Sequence, residues 1–255
     1  MKKQERQNQI IKLLEKQGKI MVSEIVEELQ VSDMTVRRDL DELEAAGRLK
    51  RVHGGAQSYQ KYTGLELTHE QKKVIHVAEK NEIVRCALSL IQEGDTLFLG
   101  TGTTIEMLAK AMDFQNVHVV TNSLPVFLIL DNKLEEGQLF LTGGEFRKKT
   151  GAFYGELAER NIRQLRFAKS FISANAINED HIMTTKLAEG TTEHLAFDAA
   201  REKYLLVDSS KFNKEDFNVF YSLKNITAVL TNEDNDVAFD EFEQYTKILF
   251  AKEFE

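Results

Sequence analysis

LFLGTGTTIEMLAK, residues 97–110, holds the pattern that decides the fold. A short apolar run ends in Gly100-Thr101-Gly102-Thr103-Thr104, and apolar residues at helical spacing follow. A buried strand that turns through glycines into a helix brings backbone N–H groups close to an anion and aims the positive helix end at it. The same stretch is also an ordinary strand-to-helix connection, so the rest of the chain has to supply the ligand groups. Similar apolar runs recur as TLFLG, VHVVT, QLFLT, SFISA, KYLLVD, ITAVLT and KILFA, with helical patterns between several of them. Strands alternating with helices predict βαβ units and an α/β domain whose mostly parallel sheet is covered on both faces.

Polar residues gather just past these runs. Thr121, Asn122 and Ser123 follow VHVV, and Pro125 fits a first helical turn. Gly143, Gly144, Glu145 and Arg147 follow QLFL, and Asp208, Ser209, Ser210 and Lys211 follow KYLLV. Ligand groups at the carboxyl ends of parallel strands are the general rule for such sheets. The expected anion site comprises Gly100, Gly102, Thr103, Thr104, Asn122 and Asp208, with Lys211, Lys80 and Lys72 supplying positive charge. For each of these lysines the competing reading is a solvated surface side chain.

The first 57 residues read differently. Ile10, Ile11, Leu13 and Leu14 mark a first helix stopped at Gly18, and Ser23 is placed to cap a second carrying Ile25, Val26 and Leu29 inward. After a break at Gln30-Val31, Ser32 is placed to cap a third, on which Val36, Leu40 and Leu43 share one face. Gly47 ends it, and RLKRVHGG reads as a short strand and turn. Three helices and a hairpin predict a winged helix-turn-helix, whose third helix enters the DNA major groove N-terminus first. Ser32, Asp33, Thr35, Arg37 and Arg38 lie off its buried face, and Lys50, Arg51 and His53 sit on the wing. An Arg-Arg pair on an amphipathic helix is often only a solvated face, but here it stands inside a complete pattern with a basic wing.

Net charge supports the division. The whole chain carries −8, yet residues 1–57 hold 11 Lys and Arg against 10 Asp and Glu, while the remainder holds 22 against 31. The acidity belongs to the C-terminal part. The expected organisation is a DNA-binding domain over 1–57, a polar linker over 58–69 with a long helix from about Glu70 to Gln92 after it, and a sensing α/β domain over 70–255. No apolar run approaches the ~18 residues of a membrane span, the start of the chain has no signal-like apolar segment, and one cysteine, Cys86, suits a reducing cytoplasm. The six histidines fall at no ligand spacing, and no Walker or G-x-S-x-G pattern occurs, so neither a metal nor a cofactor is expected.

VSDMTVRRDLDELEAAGRLKRVHGGA, residues 31–56, closely resembles the helix-turn-helix signature of the DeoR family of bacterial sugar-metabolism repressors. The resemblance continues through the C-terminal part, which in that family is similar to sugar-phosphate isomerases of the ribose-5-phosphate type, whose loop GTGST is close to GTGTT here. It implies ligand contacts in the GTT and DSSK stretches, a transcription-regulating function, operator DNA and a phosphorylated sugar as partners, and a dimer or higher oligomer. Such isomerases carry paired acids after a central strand. FISANAINED has amide and small residues there instead, with Glu179 and Asp180 further on, so sensing is expected and catalysis is not. Within the family, VSDMTVRRDL, TNSLPVF and EKYLLVDSSKFNKEDF resemble regulators of the lactose and tagatose-6-phosphate pathway. That implies tagatose 6-phosphate as effector; a fructose-type regulator answering to fructose 1-phosphate is the second reading, and an isomerase-like enzyme the third.

Overall fold

The computed structural model describes residues 3–17, 19–45, 48–57 and 67–251. Gly18, Gly47 and most of the stretch read as a linker lie outside the described residues. The chain divides into two compact units, Met1–Thr63 and Gly64–Glu255.

In the first unit, α1 (Lys3–Gln17) leads into β1 (Lys19–Met21), followed by α2 (Val22–Leu29), α3 (Asp33–Ala45), β2 (Lys50–Val52) and β3 (Gly55–Gln57). Ile10, Leu14, Ile20, Ile25, Val36, Leu40 and Leu49 form its core, each 2 % exposed or less. The turn between α2 and α3 is made by Gln30, which takes a left-handed conformation (φ 52°). Ser23 is not the cap of α2: the helix starts one residue earlier, and the Met21 N–H donates to the Glu24 carboxylate at 2.7 Å. The acidic residue three positions on reaches back and satisfies the end instead. Ser32 does receive the Thr35 N–H on its hydroxyl, at 3.4 Å.

The wing is a three-stranded antiparallel sheet in the order β1-β3-β2, one strand more than the hairpin expected. Its closeness explains the paired glycines. A Cβ on Gly55 would fall 2.3 Å from the Ile20 carbonyl oxygen, so only hydrogen fits between β3 and β1. Gly55→Ala is expected to destabilise this domain by about 2 kcal/mol or more, read as a lower midpoint in thermal denaturation.

The second unit opens with α4 (His69–Lys73) and α5 (Val77–Leu90). One continuous helix was expected here; the chain breaks at Val74–His76, where His76 has φ 52°. At the break the Lys72 carbonyl keeps the Ile75 N–H at 3.4 Å, and the Lys80 ammonium donates to the Lys72 and Ile75 carbonyls, at 2.6 and 2.7 Å.

There follow β4 (Thr96–Leu99), α6 (Thr103–Ala111), β5 (His118–Thr121), α7 (Leu124–Leu130), β6 (Leu139–Leu141), β7 (Glu145–Arg147), β8 (Ala152–Tyr154), α8 (Glu156–Arg163) and β9 (Phe167–Ile172). The chain continues through β10 (Ala176–Asn178), β11 (His181–Thr184), α9 (Leu187–Asp198), β12 (Ala200–Leu206), a 3-10 turn (Ser209–Lys211), β13 (Asn218–Ser222), β14 (Ala228–Thr231), α10 (Asp240–Glu243) and β15 (Lys247–Phe250). Seven strands form one sheet in the order β15-β14-β12-β9-β4-β5-β6, with every pairing parallel. These are the seven runs read as strands from the sequence.

Their side chains alternate between two cores. Leu97, Leu99, Val119, Phe171, Leu206 and Leu230 pack with α5, α6 and α7 on one face. Phe98, Val120, Ile172, Leu205, Val229 and Ile248 pack with Ala196 and Phe197 of α9 on the other. Sheet order runs outward one way through β4, β5 and β6, and the other way through β9, β12, β14 and β15. The order reverses between β4 and β9, and in sheets of this kind ligands sit at the carboxyl ends of such a pair. Two antiparallel additions, β7-β8 and β10-β11-β13, were not legible in the sequence.

Candidate functional site

The loop Gly100–Thr104 leaves β4 at this reversal. The Gly100 N–H donates to the Phe171 carbonyl of β9 at 2.9 Å, which pins the start of the loop. Gly102 precedes α6 with φ 118°, and a Cβ there would meet the Ser173 side chain beyond β9 at 3.2 Å. A side chain at 102 would be strained by the backbone conformation and would crowd the Ser173 side chain. Thr103 and Thr104 are buried in the first turn of α6, where helical geometry leaves N–H groups unpaired. Asn122, at the end of β5, is fully buried; its amide N–H donates to the Phe153 carbonyl at 3.2 Å, and its Oδ1 has no partner.

Beyond β12, Asp208 is buried and accepts the N–H and hydroxyl of Ser210, which shapes the 3-10 turn. Burial alone would raise its carboxyl, but Lys211, the Ser210 bond, His76 and Lys80 outweigh that and hold it below the usual range. Lys80 is buried and its affinity for a proton falls, chiefly through desolvation. Its ammonium is taken by the two carbonyls at the α4–α5 break. Lys214, which the sequence reading did not single out, is lowered by burial and then by the like charge of Lys211. Lys211 and Lys214 are one turn-spacing apart, and that repeat was the available signal. Lys72 of α4 donates to Asn175 Oδ1 at 2.8 Å. Asn175 in turn donates to Thr185 and Asp216, each at 3.0 Å. The α4 segment is also tied to the loop helix, because His69 and Glu106 of α6 lie 2.7 Å apart.

Glu179 and Asp180 do not approach the crevice network. Glu179 forms the β10–β11 turn (φ 51°), and Asp180 accepts the Ser222 hydroxyl at 2.8 Å with Lys224 at 3.1 Å. Carboxylates nevertheless reach the phosphate loop from α9, which sequence reasoning missed. Thr101 donates to Glu193 Oε1 at 3.0 Å, while Glu189, one turn earlier, accepts from Arg147 and Thr150, each at 3.0 Å. Acids at i and i+4 were the trace in LAEGTTEH. Desolvation, then the nearby Glu189 charge, push the Glu193 carboxyl up to about 8, against the Thr101 bond and Lys72. A carboxyl raised in the folded state binds more protons there than when unfolded, so stability falls as pH rises from about 4.5 to about 8. Glu193→Gln should flatten that part of the stability-versus-pH profile, as measured by urea denaturation between pH 5 and 8.

In the first unit, Ser32, Asp33, Arg37, Arg38, Lys50 and His53 are exposed, while Thr35 and Arg51 are half-buried. Arg37 is paired with Asp33 at 2.5 Å. Arg38, 82 % exposed along its side chain, stands 3.6 Å from Glu42, a carboxylate already bonded to Gln7 and Lys3. Arg51 is committed to Asp41 at 3.0 Å and to the Gly55 carbonyl at 2.8 Å, which fixes the wing. Asp39, beside the arginine pair, is buried and accepts from Nε and Nη2 of Arg6, so it locks α1 to α3. Met34 stands 83 % exposed in the first turn of α3, a large apolar side chain that the sequence reading passed over.

Fold and site together define a two-part protein: a winged helix-turn-helix with an exposed Arg-Arg pair on its third helix, and a doubly wound parallel sheet whose strand-end loops carry glycines, threonines and lysines. Residues 6–62 match the DeoR-like helix-turn-helix domain and residues 75–233 the DeoR C-terminal sensor domain. The chain is 45 % identical over 250 residues to the lactose phosphotransferase system repressor of Streptococcus mutans, covering 98 % of this chain and all of that one. Its counterpart in Staphylococcus aureus is 44 % identical over the same shares. A ribose 5-phosphate isomerase A from Methanocaldococcus jannaschii is a weak structural likeness, with 19 % identity, a TM-score of 0.39 and 53 % and 54 % of the two chains covered. The chain belongs to the DeoR family, and it is a DNA-binding regulator with a sensor domain, not an enzyme. No helix among the described residues is long and apolar enough to cross a membrane.

Proposed function

We propose that this protein represses a lactose-utilisation operon in the cytoplasm and leaves its operator when tagatose 6-phosphate fills the crevice at the β4–β9 reversal. The observation that carries the sensing half is the phosphate loop set among lysines: Gly100–Thr104 opens onto α6, with Lys72 at Asn175 and Lys211 and Lys214 beside Asp208. The full-length similarity to repressors of that name supports the pathway. Ligand contacts are assigned to Gly100, Gly102, Thr103, Thr104, Asn122, Asp208, Lys211 and Lys72, with Lys80 organising the α4–α5 break behind them.

On the DNA side, Ser32, Asp33, Thr35, Arg37 and Arg38 present the reading edge of α3, with Lys50 and His53 against the backbone and Arg51 bracing the wing. Met34 adds an apolar surface suited to a thymine methyl group. A two-fold operator read by a homodimer fits helix-turn-helix geometry. Sugar phosphate acts by linkage: it binds one arrangement of the sensor more tightly than another, and that arrangement is the poorer DNA binder.

The test is a thermal-shift panel of sugar phosphates on the full-length protein. A ligand specific to the native state raises the midpoint, and at one concentration the tighter ligand raises it further. Tagatose 6-phosphate should give the largest shift. A larger shift with fructose 1-phosphate would move the assignment to a fructose-type operon, and no shift with any sugar phosphate would remove the sensing assignment.

A further inference from the structure

Glu193 poses a problem for an anion site. It is 3 % exposed, it accepts a hydrogen bond from the residue between the two loop glycines, and it belongs to the wall facing the phosphate loop. An ionised carboxylate there would repel the phosphate that the loop is shaped to hold. Its charged neighbours pull in opposite directions, Glu189 against the ionised form and Lys72 towards it. Glu189, from the same helix, is satisfied by Arg147 of β7 and Thr150, and adds negative charge to the same wall. Lys72 of α4, the cation whose field reaches Glu193, donates to Asn175 beyond β9, and Asn175 is shared with Asp216 ahead of β13. From the loop, the Thr101 hydroxyl donates to it.

The arrangement is resolved if the group is a neutral acid. Thr101 then donates to the carbonyl oxygen of Glu193, and the acid O–H becomes a donor. A donor beside a phosphate cradle suits a hydroxyl of the sugar, because the loop N–H groups already serve the phosphate oxygens.

We propose that Glu193 is the residue that distinguishes a sugar phosphate from bare phosphate, acting as a protonated carboxylic acid that donates a hydrogen bond to a sugar hydroxyl. The assignment rests on the sensing role given to the crevice above. Its consequence is a proton-linked sensor. Deprotonation of Glu193 removes the donor and places a negative charge beside the phosphate, so effector affinity falls on the alkaline side while the sugar phosphate stays a dianion throughout.

Isothermal titration of the full-length protein with tagatose 6-phosphate, and separately with inorganic phosphate, tests this between pH 7 and 9. Wild-type affinity for the sugar phosphate should fall about tenfold across that range, as expected for a group titrating near 8. Glu193→Gln keeps a donor and an acceptor in the same place; it should bind within about threefold of wild type at pH 7 and show a flat pH profile. Glu193→Ala should lose at least tenfold for tagatose 6-phosphate at pH 7 and bind inorganic phosphate as wild type does. Wild-type affinity in the alanine variant, or a wild-type pH profile in the glutamine variant, would overturn the proposal. The wild-type titration decides the sensing role separately: if it binds neither tagatose 6-phosphate nor fructose 1-phosphate, that role falls, and Glu193's with it.

Discussion

Arg38→Ala is expected to weaken operator binding by about tenfold or more while leaving the fold intact, since one phosphate or base contact is worth ~1–3 kcal/mol. The side chain is 82 % exposed and its nearest acid, Glu42, stands 3.6 Å away and already serves Gln7 and Lys3. Removing it therefore leaves no buried charge behind. Arg37 is different, because its 2.5 Å pairing with Asp33 must be exchanged for DNA. The salt dependence of binding separates two roles for Arg38. A shallower dependence with uniform loss across sequences marks a phosphate contact, and an unchanged dependence with loss confined to one base pair marks base readout. Unchanged affinity together with unchanged helicity would refute the reading edge on α3.

Lys211→Ala should yield a protein that binds operator normally and fails to respond to inducer. Lys211 is half-buried beside Asp208, at a turn that Ser210 and Asn232 hold in place without it. Losing one ammonium partner of a phosphate is expected to reduce inducer affinity by at least tenfold, given ~1.5–3 kcal/mol for hydrogen bonds to charged groups. The release midpoint in a DNA-binding assay should move to correspondingly higher inducer concentration. Release at the wild-type concentration would place the effector elsewhere.

Much of the fold was legible because its central strands are buried on both faces. TLFL, HVVT and their counterparts are continuous apolar runs with no other sensible reading. The reversal of strand order was not legible, since it depends on which strand joins β4 on its far side. The break between α4 and α5 was hidden for a different reason. Its residues carry a helical pattern without glycine or proline, and the break is supported by the Lys80 ammonium closing onto the Lys72 and Ile75 carbonyls. The strands β7, β8 and β10 are three residues each, too short to show an alternation.

For the site, the loops at strand ends were readable as chemistry, and the structure gathers their donors along one sheet edge. What the residues at those ends do was less readable. Lys80 looked like a phosphate partner, and its ammonium lies on main-chain carbonyls. Asp39 sits in the motif beside the DNA-facing arginines, and it is a buried anchor for Arg6. The absence of paired acids from FISANAINED suggested a site without the acids of proton transfer, whereas α9 brings Glu193 against the loop from the other face of the sheet. Sequence distance from Thr101 concealed that contact.

The central claim is that one chain couples sugar-phosphate binding to DNA release. The most direct measurement selects a binding site from random DNA with the full-length protein, labels it, and follows fluorescence anisotropy of the complex as tagatose 6-phosphate is added. The expected result is a two-fold-symmetric site and saturable loss of anisotropy with tagatose 6-phosphate, but not with unphosphorylated tagatose. A complex indifferent to every sugar phosphate tested would contradict the coupling.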